Sequence, residues 1–392
     1  MFLAPCPAFA VAFNQAFELN DSDRVVLLGN SLFERELEYG YIELAITTRW
    51  PDRHITIRNL GWSGDTVFGE ARGYFTTPPD AYGHLIDQLT NAEPDVVIVA
   101  YGGIESYDGE EGLPRFTEGL HNLLDKIEEL EAEAVMLSPI PKFSVDITAS
   151  IAATHNQNVE KYTETISDIA NERGAWFVNL FHPLMEKENP QTLTTNGIHL
   201  NESGYYYLVG LIESGLNLPP REWFVEIDTE NGLNQSEGVR ISNIEKRDEE
   251  LRFQAKDEYL PLPLPSYVRE RVNGIRRLTI SGIPEGRYTL TIDGGYVTSA
   301  TAEEWAQGVN IYFGTTYRQS GMLQNRIVSK NYFFFNQYRP QNRTYITGFR
   351  AYEQGQNVSE LHQLNQFIER QEREIARLRQ PGTNVYRLVR SR

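Results

Sequence analysis

Residues 24–35 read RVVLLGNSLFER, Arg-Val-Val-Leu-Leu followed by Gly29-Asn30-Ser31 and then Leu-Phe-Glu-Arg. The apolar run predicts a buried strand, the Gly-Asn-Ser that follows is turn chemistry, and the next residues re-enter a helical pattern. Strand, turn and helix together place Ser31 at the mouth of the strand. Taken alone, Ser31 with Glu34 three positions later matches a helix capping box, which is the ordinary use of a serine in that place. A nucleophilic serine needs more: a base, a group that orients the base, and donors for an oxyanion.

Runs of the same kind recur at HITIRN (54–59), DVVIVAYG (95–102), AVMLSP (134–139) and AWFVNL (175–180). Their alternation with helix-like segments predicts an α/β unit with a parallel sheet covered by helices. The clearest such segment holds Phe116, Leu120, Leu123, Leu124, Ile127 and Leu130 at helical spacing opposite a charged face. NESGYYYLVGLIESGL supplies a closing helix, and the adjacent prolines of LNLPPREW (216–223) mark a boundary, so the unit spans 21–220. Beyond it, WFVEIDT, GVRISNIEKR, ELRFQAKD, RRLTISGI and RYTLTIDGGYV alternate in strand fashion and predict a small antiparallel β-sandwich over 222–298. Residues 299–392 then form an aromatic-rich and helical C-terminal extension. It opens with a helix capped by Thr301, and the pattern leaves 308–352 unassigned. In the tail, Leu361, Leu364, Ile368, Ile375 and Leu378 define an amphipathic helix over 358–380, too short for an independent coiled coil. It is expected to pack on its own chain rather than to make an oligomer.

The 392 residues carry a formal charge of -18, from 36 basic against 54 acidic side chains, which argues against nucleic acid or an anionic membrane surface as partner. The single cysteine, Cys6, rules out an intramolecular disulfide framework and a cysteine-rich metal centre. No interior run approaches the ~18 apolar residues of a membrane span. Residues 1–12, MFLAPCPAFAVA, resemble the apolar core and cleavage region of a secretory signal but lack its basic start; the alternative is an arm, Phe2 to Phe17, packed on the domain. The first reading makes residues 1–20 a signal remnant or arm and the protein secreted or periplasmic.

In an open parallel sheet, ligands sit beyond the carboxyl ends of the strands. Four stretches occupy such places: Ser31 after the first strand, GWSGDT (61–66) after the second, GGIES (102–106) after the third, and NGIHLNESG (196–204) before the closing helix. In this order they resemble the signature blocks of the SGNH hydrolases, also called the GDSL esterase/lipase family, over roughly residues 20–217. More narrowly, GNS, NLGWSGDT, YGGIES and NGIHL with the later RPQN and EQGQN are similar to a subgroup from planctomycete-type bacteria. The resemblance implies a three-layer, flavodoxin-like domain and hydrolysis of small acyl esters, often acetyl groups on carbohydrates, without cofactor or metal. It makes Ser31 the nucleophile and His199 the base, with the N–H groups of Ser31 and Gly64 as two arms of the oxyanion hole.

The chain departs from the family pattern where the machinery should be complete. The third oxyanion donor, an asparagine in the family, is Ile104; the aspartate three positions before the histidine is Asn196; the aspartate before the nucleophile is Asn30; and the last residue of the third block is Glu105. Asn30, Glu105 and Asp65 remain candidate pocket residues, although Asp65 and Asn59 also suit plain turn stabilisation. Exchanging a triad aspartate for asparagine costs about 10^4 in rate, and losing one oxyanion donor about 10^2 to 10^3. Two functions are therefore expected side by side: an ester hydrolase using Ser31 and His199 on a small ester or acylated glycan, and a catalytically degenerate relative that binds a glycan or partner protein. The other histidines, at 54, 84, 121, 155, 182 and 362, have no such context, and the acidic YDGEEG (107–112) lacks the ligand spacing of a calcium loop. Tyr338 to Asn342 could hold a sugar, but serves better as aromatic glue between the extension and the α/β unit.

Overall fold

The structure is a computed structural model and describes residues 15–75, 80–265, 274–339 and 358–391. Each apolar run of the first unit is a strand: β1 (Arg24–Gly29), β2 (Thr56–Asn59), β3 (Val96–Ala100), β4 (Glu133–Leu137) and β5 (Trp176–Val178). Between and after them run α1 (Ser31–Glu36), α2 (Tyr41–Arg49), α3 (Ala81–Asn91), α4 (Leu113–Glu129), α5 (Ala149–Arg173), α6 (Phe181–Glu186) and α7 (Glu202–Gly215). The strands are parallel in the order β2-β1-β3-β4-β5. This is the flavodoxin-like doubly wound order, whose ligand crevice opens where the winding reverses between β1 and β3.

Side chains alternate across a strand, and the burial follows that period. Val25 and Leu27 face one layer with Ile57, Ile98 and Val135, packed by Ile42 and Leu44 of α2 and Leu208 and Val209 of α7. Val26 and Leu28 face the other with Val97, Val99 and Met136, packed by Leu85, Leu89, Leu120, Leu123 and Ile166 of α3, α4 and α5. The result is three layers, with strands buried on both faces as their continuous apolar runs require. Residues 1–12 lie outside the described residues. At the end of the expected arm, Phe17 is buried edge-on against Trp176 at 5.5 Å, and its N–H donates to Leu216 O at 3.0 Å.

The β unit differs from its expected outline. It contains β6 (Trp223–Asp228), β7 (Gly232–Glu237), β8 (Val239–Arg247), β9 (Glu250–Asp257), β10 (Arg276–Ser281), β11 (Arg287–Ile292) and β12 (Gly295–Thr301), then α8 (Ala302–Gln307) and β13 (Val309–Asn310). Its sheets run β13-β10-β6-β7 and β12-β11-β14-β9-β8, where β14 (Thr383–Arg390) is the end of the chain. The sandwich is thus not closed at 298, and it is not purely antiparallel, since β6 and β10 pair in parallel. Local patterns reveal strands and tight turns, but not a partner strand that returns from nearly a hundred residues away, which is why β14 falls within the expected helical extension.

The rest of the extension is a helical hairpin, α9 (Thr315–Tyr338) and α10 (Val358–Leu378), the latter packed on its own chain through Ile368, Ile375 and Leu378. Buried polar groups fasten α9 to the α/β unit: Lys330 Nζ donates to Glu43 Oε1 at 2.6 Å and to Ile57 O at 2.8 Å, and Asn331 Nδ2 to Glu43 Oε2 at 2.9 Å. At its end Tyr338 donates to Gly61 O at 2.8 Å, and the Arg339 guanidinium lies 4.1 Å from the Trp62 ring centroid. These two residues act as glue; Pro340 to Asn342 lie outside the described residues. The Thr301 cap forms as expected, with Glu304 N–H donating to its Oγ1 at 3.2 Å and the Glu304 carboxylate accepting from Thr301 N–H at 2.7 Å. Thr301→Ala should therefore lower stability by about 1 kcal/mol, read as a shifted urea midpoint. An unmoved midpoint would show that burial of Trp305, not the cap, holds α8.

Candidate active site

Ser31 is the first residue of α1, but it is not the cap. Asn30 is, its Oδ1 accepting from Leu32 N–H at 3.2 Å. The capping-box reading of Ser31 and Glu34 is corrected accordingly: the Glu34 carboxylate accepts from Ser63 N–H at 2.6 Å and pairs with Arg339 instead. The Ser31 hydroxyl consequently has no hydrogen-bond partner among the described residues, His199 included. Gly29 makes the turn possible, since a Cβ there would stand 2.6 Å from Ala100 O on β3. At Gly29 the two strands that flank the switch point approach backbone to backbone.

His199 arrives on the tight loop before α7. Gly197 sits at φ +83°, and a Cβ on it would lie 2.1 Å from Phe143 O, so the loop packs against the segment after β4 without a side chain between. Phe143 N–H donates to Gly197 O at 2.8 Å and ties the two segments together. Within the loop, Asn196 Oδ1 accepts from Ile198 N–H at 3.2 Å and His199 N–H at 2.9 Å. Two backbone donors on one atom settle which end of the amide is oxygen. Asn196 Nδ2 therefore faces His199 Nδ1, at 3.2 Å, as a donor.

That contact fixes the tautomer. With Nδ1 accepting, the neutral imidazole carries its proton on Nε2, the nitrogen left for the nucleophile. Burial holds the His199 pKa below its ordinary value, helped by the Arg35 charge and opposed by Glu38, so the ring is neutral near pH 7. As it rests, His199 can give a proton through Nε2 but cannot take one at that nitrogen.

Ser31, Asn30, Ile104 and His199 line a single open cleft at the carboxyl ends of β1, β3 and β4, together with Tyr107, Lys142 and Arg35. Ile104 presents only hydrocarbon at the place where the family pattern has an amide. Asn30 changes that account. Its Oδ1 is held by the cap, so its Nδ2 has a settled direction, and this atom lies 3.6 Å from where a Cβ on Gly103 would stand. An amide donor without an acceptor among the described residues thus flanks the residue before Ile104, on the cleft wall.

The remaining candidates are not part of the cleft lining. Gly64, at φ +79° with open space around its Cβ position, is not among the lining residues, nor are Asp65 and Glu105. Asp65 is fully buried, accepting from Arg72 Nε at 2.7 Å and Tyr101 Oη at 3.0 Å. Glu105 accepts from Val67 N–H at 3.0 Å and Gly102 N–H at 2.8 Å, and burial pushes its carboxyl up to about 7. Both brace the turns after β2 and β3. Lys142, Tyr107 and Arg35 were missed; the rule that picked out residues after β1, β2 and β3 would have found Lys142 had it been applied to SPIPK (138–142) after β4. Among the described residues no three or more His, Cys, Asp or Glu side chains group as metal ligands, and no helix is long and apolar enough to cross a membrane.

Comparison with known proteins agrees with this layout. No curated protein sequence matches the chain. Over its whole length it is similar in structure to a gut microbial diltiazem-metabolizing enzyme, with TM-score 0.75 at 19% identity, covering 98% of this chain and 100% of that one. Axe2, an acetylxylan esterase from Geobacillus stearothermophilus, is similar at TM-score 0.39 and 16% identity over 52% of this chain and 97% of its own. A lipase/acylhydrolase from Enterococcus faecalis stands at 0.39 and 15%, over 49% and 94%. At those two scores neither adds to the argument. Residues 27–207, the stretch that runs from β1 through the Ser31 turn to His199 and into α7, match the family model of the GDSL-like lipase/acylhydrolases.

Proposed function

We propose that the protein is a slow ester hydrolase, acting by serine acyl transfer on small acyl esters such as acetylated carbohydrates. The observation that carries this reading is that Ser31 and His199, from opposite ends of the domain, line one cleft at the β1/β3 switch point, with the serine hydroxyl unbonded among the described residues. In the reaction Ser31 Oγ attacks the acyl carbon and His199 Nε2 takes its proton. The oxyanion is held by Ser31 N–H, which as a first-turn donor has no partner within the helix, and by Asn30 Nδ2. The family resemblance adds Gly64 N–H, whose open left-handed turn leaves the approach to its backbone clear. Collapse gives the proton back to the departing alcohol, and water, activated by the same ring, releases the acid from Ser31.

The slowness follows from Asn196. To act as base the ring must carry its proton on Nδ1, which sets N–H against the N–H of Asn196 Nδ2, so only a small fraction of the protein is competent at any moment. The same contact, with Ile104, favours the second reading: a relative that binds an acylated glycan and does not turn it over.

Turnover of an acetyl ester by the wild type, Ser31→Ala and His199→Ala separates the two. Hydrolysis above buffer that both substitutions remove is the expected result. Equal rates in all three proteins would end the hydrolase reading, and saturable glycan binding without turnover would establish the other.

A further inference from the structure

Lys142 is the most unusual charge in the cleft. It is only 8% exposed, lines the same cleft as the candidate nucleophile and base, and has no carboxylate partner among the described residues; its ammonium stands 3.3 Å from the centroid of the Tyr107 ring. The protein nevertheless positions it with care. Asn156 on α5 clamps its backbone on both sides, accepting from Lys142 N–H at 2.8 Å and donating to Lys142 O at 2.8 Å. The next residue, Phe143, is bonded to the loop that carries His199.

A second cation accompanies it. Arg35 lines the same cleft, its Nε is buried without a hydrogen-bond partner, and its nearest acid, Glu38, stands at 3.8 Å. No Asp or Glu is among the described residues lining the cleft, although the chain as a whole carries a charge of -18. Burying an ammonium without a counter-charge is unfavourable, and burial alone pulls its pKa down to about 8, which leaves it mainly charged near pH 7. A cleft whose described lining holds two cations and no acid, in an acidic protein, suits a negative ligand.

We infer that Lys142, with Arg35 beside it, is a carboxylate subsite, and that the esters this cleft selects carry a free carboxylate. This rests on the proposed ester hydrolysis for its consequence, but not for the binding itself. The carboxylate can belong to the acid, as in a half-ester of a dicarboxylic acid, or to the alcohol, as in an acylated sugar acid. Its role is specificity: an ammonium and a carboxylate form a charge-assisted hydrogen bond, which a neutral ester cannot supply.

Two measurements test it. The first needs no turnover: thermal unfolding of the full chain with succinate against the neutral succinamide, at matched ionic strength, in the wild type, Lys142→Met and Lys142→Arg. Succinate should raise the melting temperature of the wild type and of Lys142→Arg, succinamide should not, and Lys142→Met should lose the effect. Equal effects of succinate, succinamide and added chloride would overturn the subsite. The second compares kcat/KM for a hemisuccinate ester and for an acetylated sugar acid, each against its own methyl ester. One of the two free acids should be preferred by about ten- to a hundredfold, the size of a charge-assisted bond, and that ratio should collapse toward one in Lys142→Met. The preferred substrate tells which side of the ester carries the charge. No preference in either pair would overturn the claim on substrates. Absence of all turnover with succinate stabilisation intact would instead count against the hydrolase reading and leave the subsite standing.

Discussion

Asn196→Asp should raise ester turnover by up to about 10^4-fold, the factor by which the reverse exchange slows a serine triad. The reason is local. Asn196 Oδ1 already accepts from two backbone N–H groups, and a carboxylate keeps both, so the loop needs no rearrangement. What changes is the other atom, 3.2 Å from His199 Nδ1, which turns from donor to acceptor. The ring proton then moves to Nδ1, Nε2 is freed to take the proton from Ser31, and the imidazolium that forms gains a negative neighbour. The same charge raises the His199 pKa from its depressed value, so the limb of the pH–rate profile where activity rises with pH should move to higher pH. A merely structural role for Asn196 would leave that limb in place. A variant that folds and is no faster than wild type would show that something other than the tautomer limits the rate.

Asn30→Asp should do the opposite, although it too restores a family residue. An aspartate retains the Oδ1 that caps α1 through Leu32 N–H, so stability should hold. It loses the Nδ2 donor, however, and places a negative charge where an oxyanion has to develop. The expected loss is about 10^2- to 10^3-fold in kcat with little change in KM, because the bond is made in the transition state and not with bound ester. The two exchanges to aspartate thus have opposite signs. If Asn30→Asp left kcat unchanged, the cleft would depend on backbone donors alone, and Ile104 would be a plain loss rather than a donor moved to the neighbouring strand.

The sequence was legible at some of these places and not at others. The five parallel strands, their buried runs and the closing helix follow from periodicity, because strands covered on both faces are uninterrupted apolar stretches. Ser31 and His199 could be found from their places after a strand and before a helix. The role of Asn30 could not, since Asn30 and Ser31 both suit a cap and only the backbone trajectory decides between them. The orientation of the Asn196 amide depends on which N–H groups its own loop turns inward. Lys142 stands next to two prolines after β4 and has no motif to announce it; its meaning comes from the acids that are missing around it. In the second half of the chain the strands were visible one by one. The sandwich was not, because β13 and β14 join it across long separations in sequence.

The most direct test of a retuned serine site is covalent. Full-length wild type, Asn196→Asp and Ser31→Ala would be incubated with a fluorophosphonate and the modified residue located by peptide mass spectrometry. A single adduct on Ser31 in the first two, forming faster in Asn196→Asp and absent from Ser31→Ala, is the expected result. No adduct on Ser31 in either folded protein, or a rate unchanged by the aspartate, would contradict it.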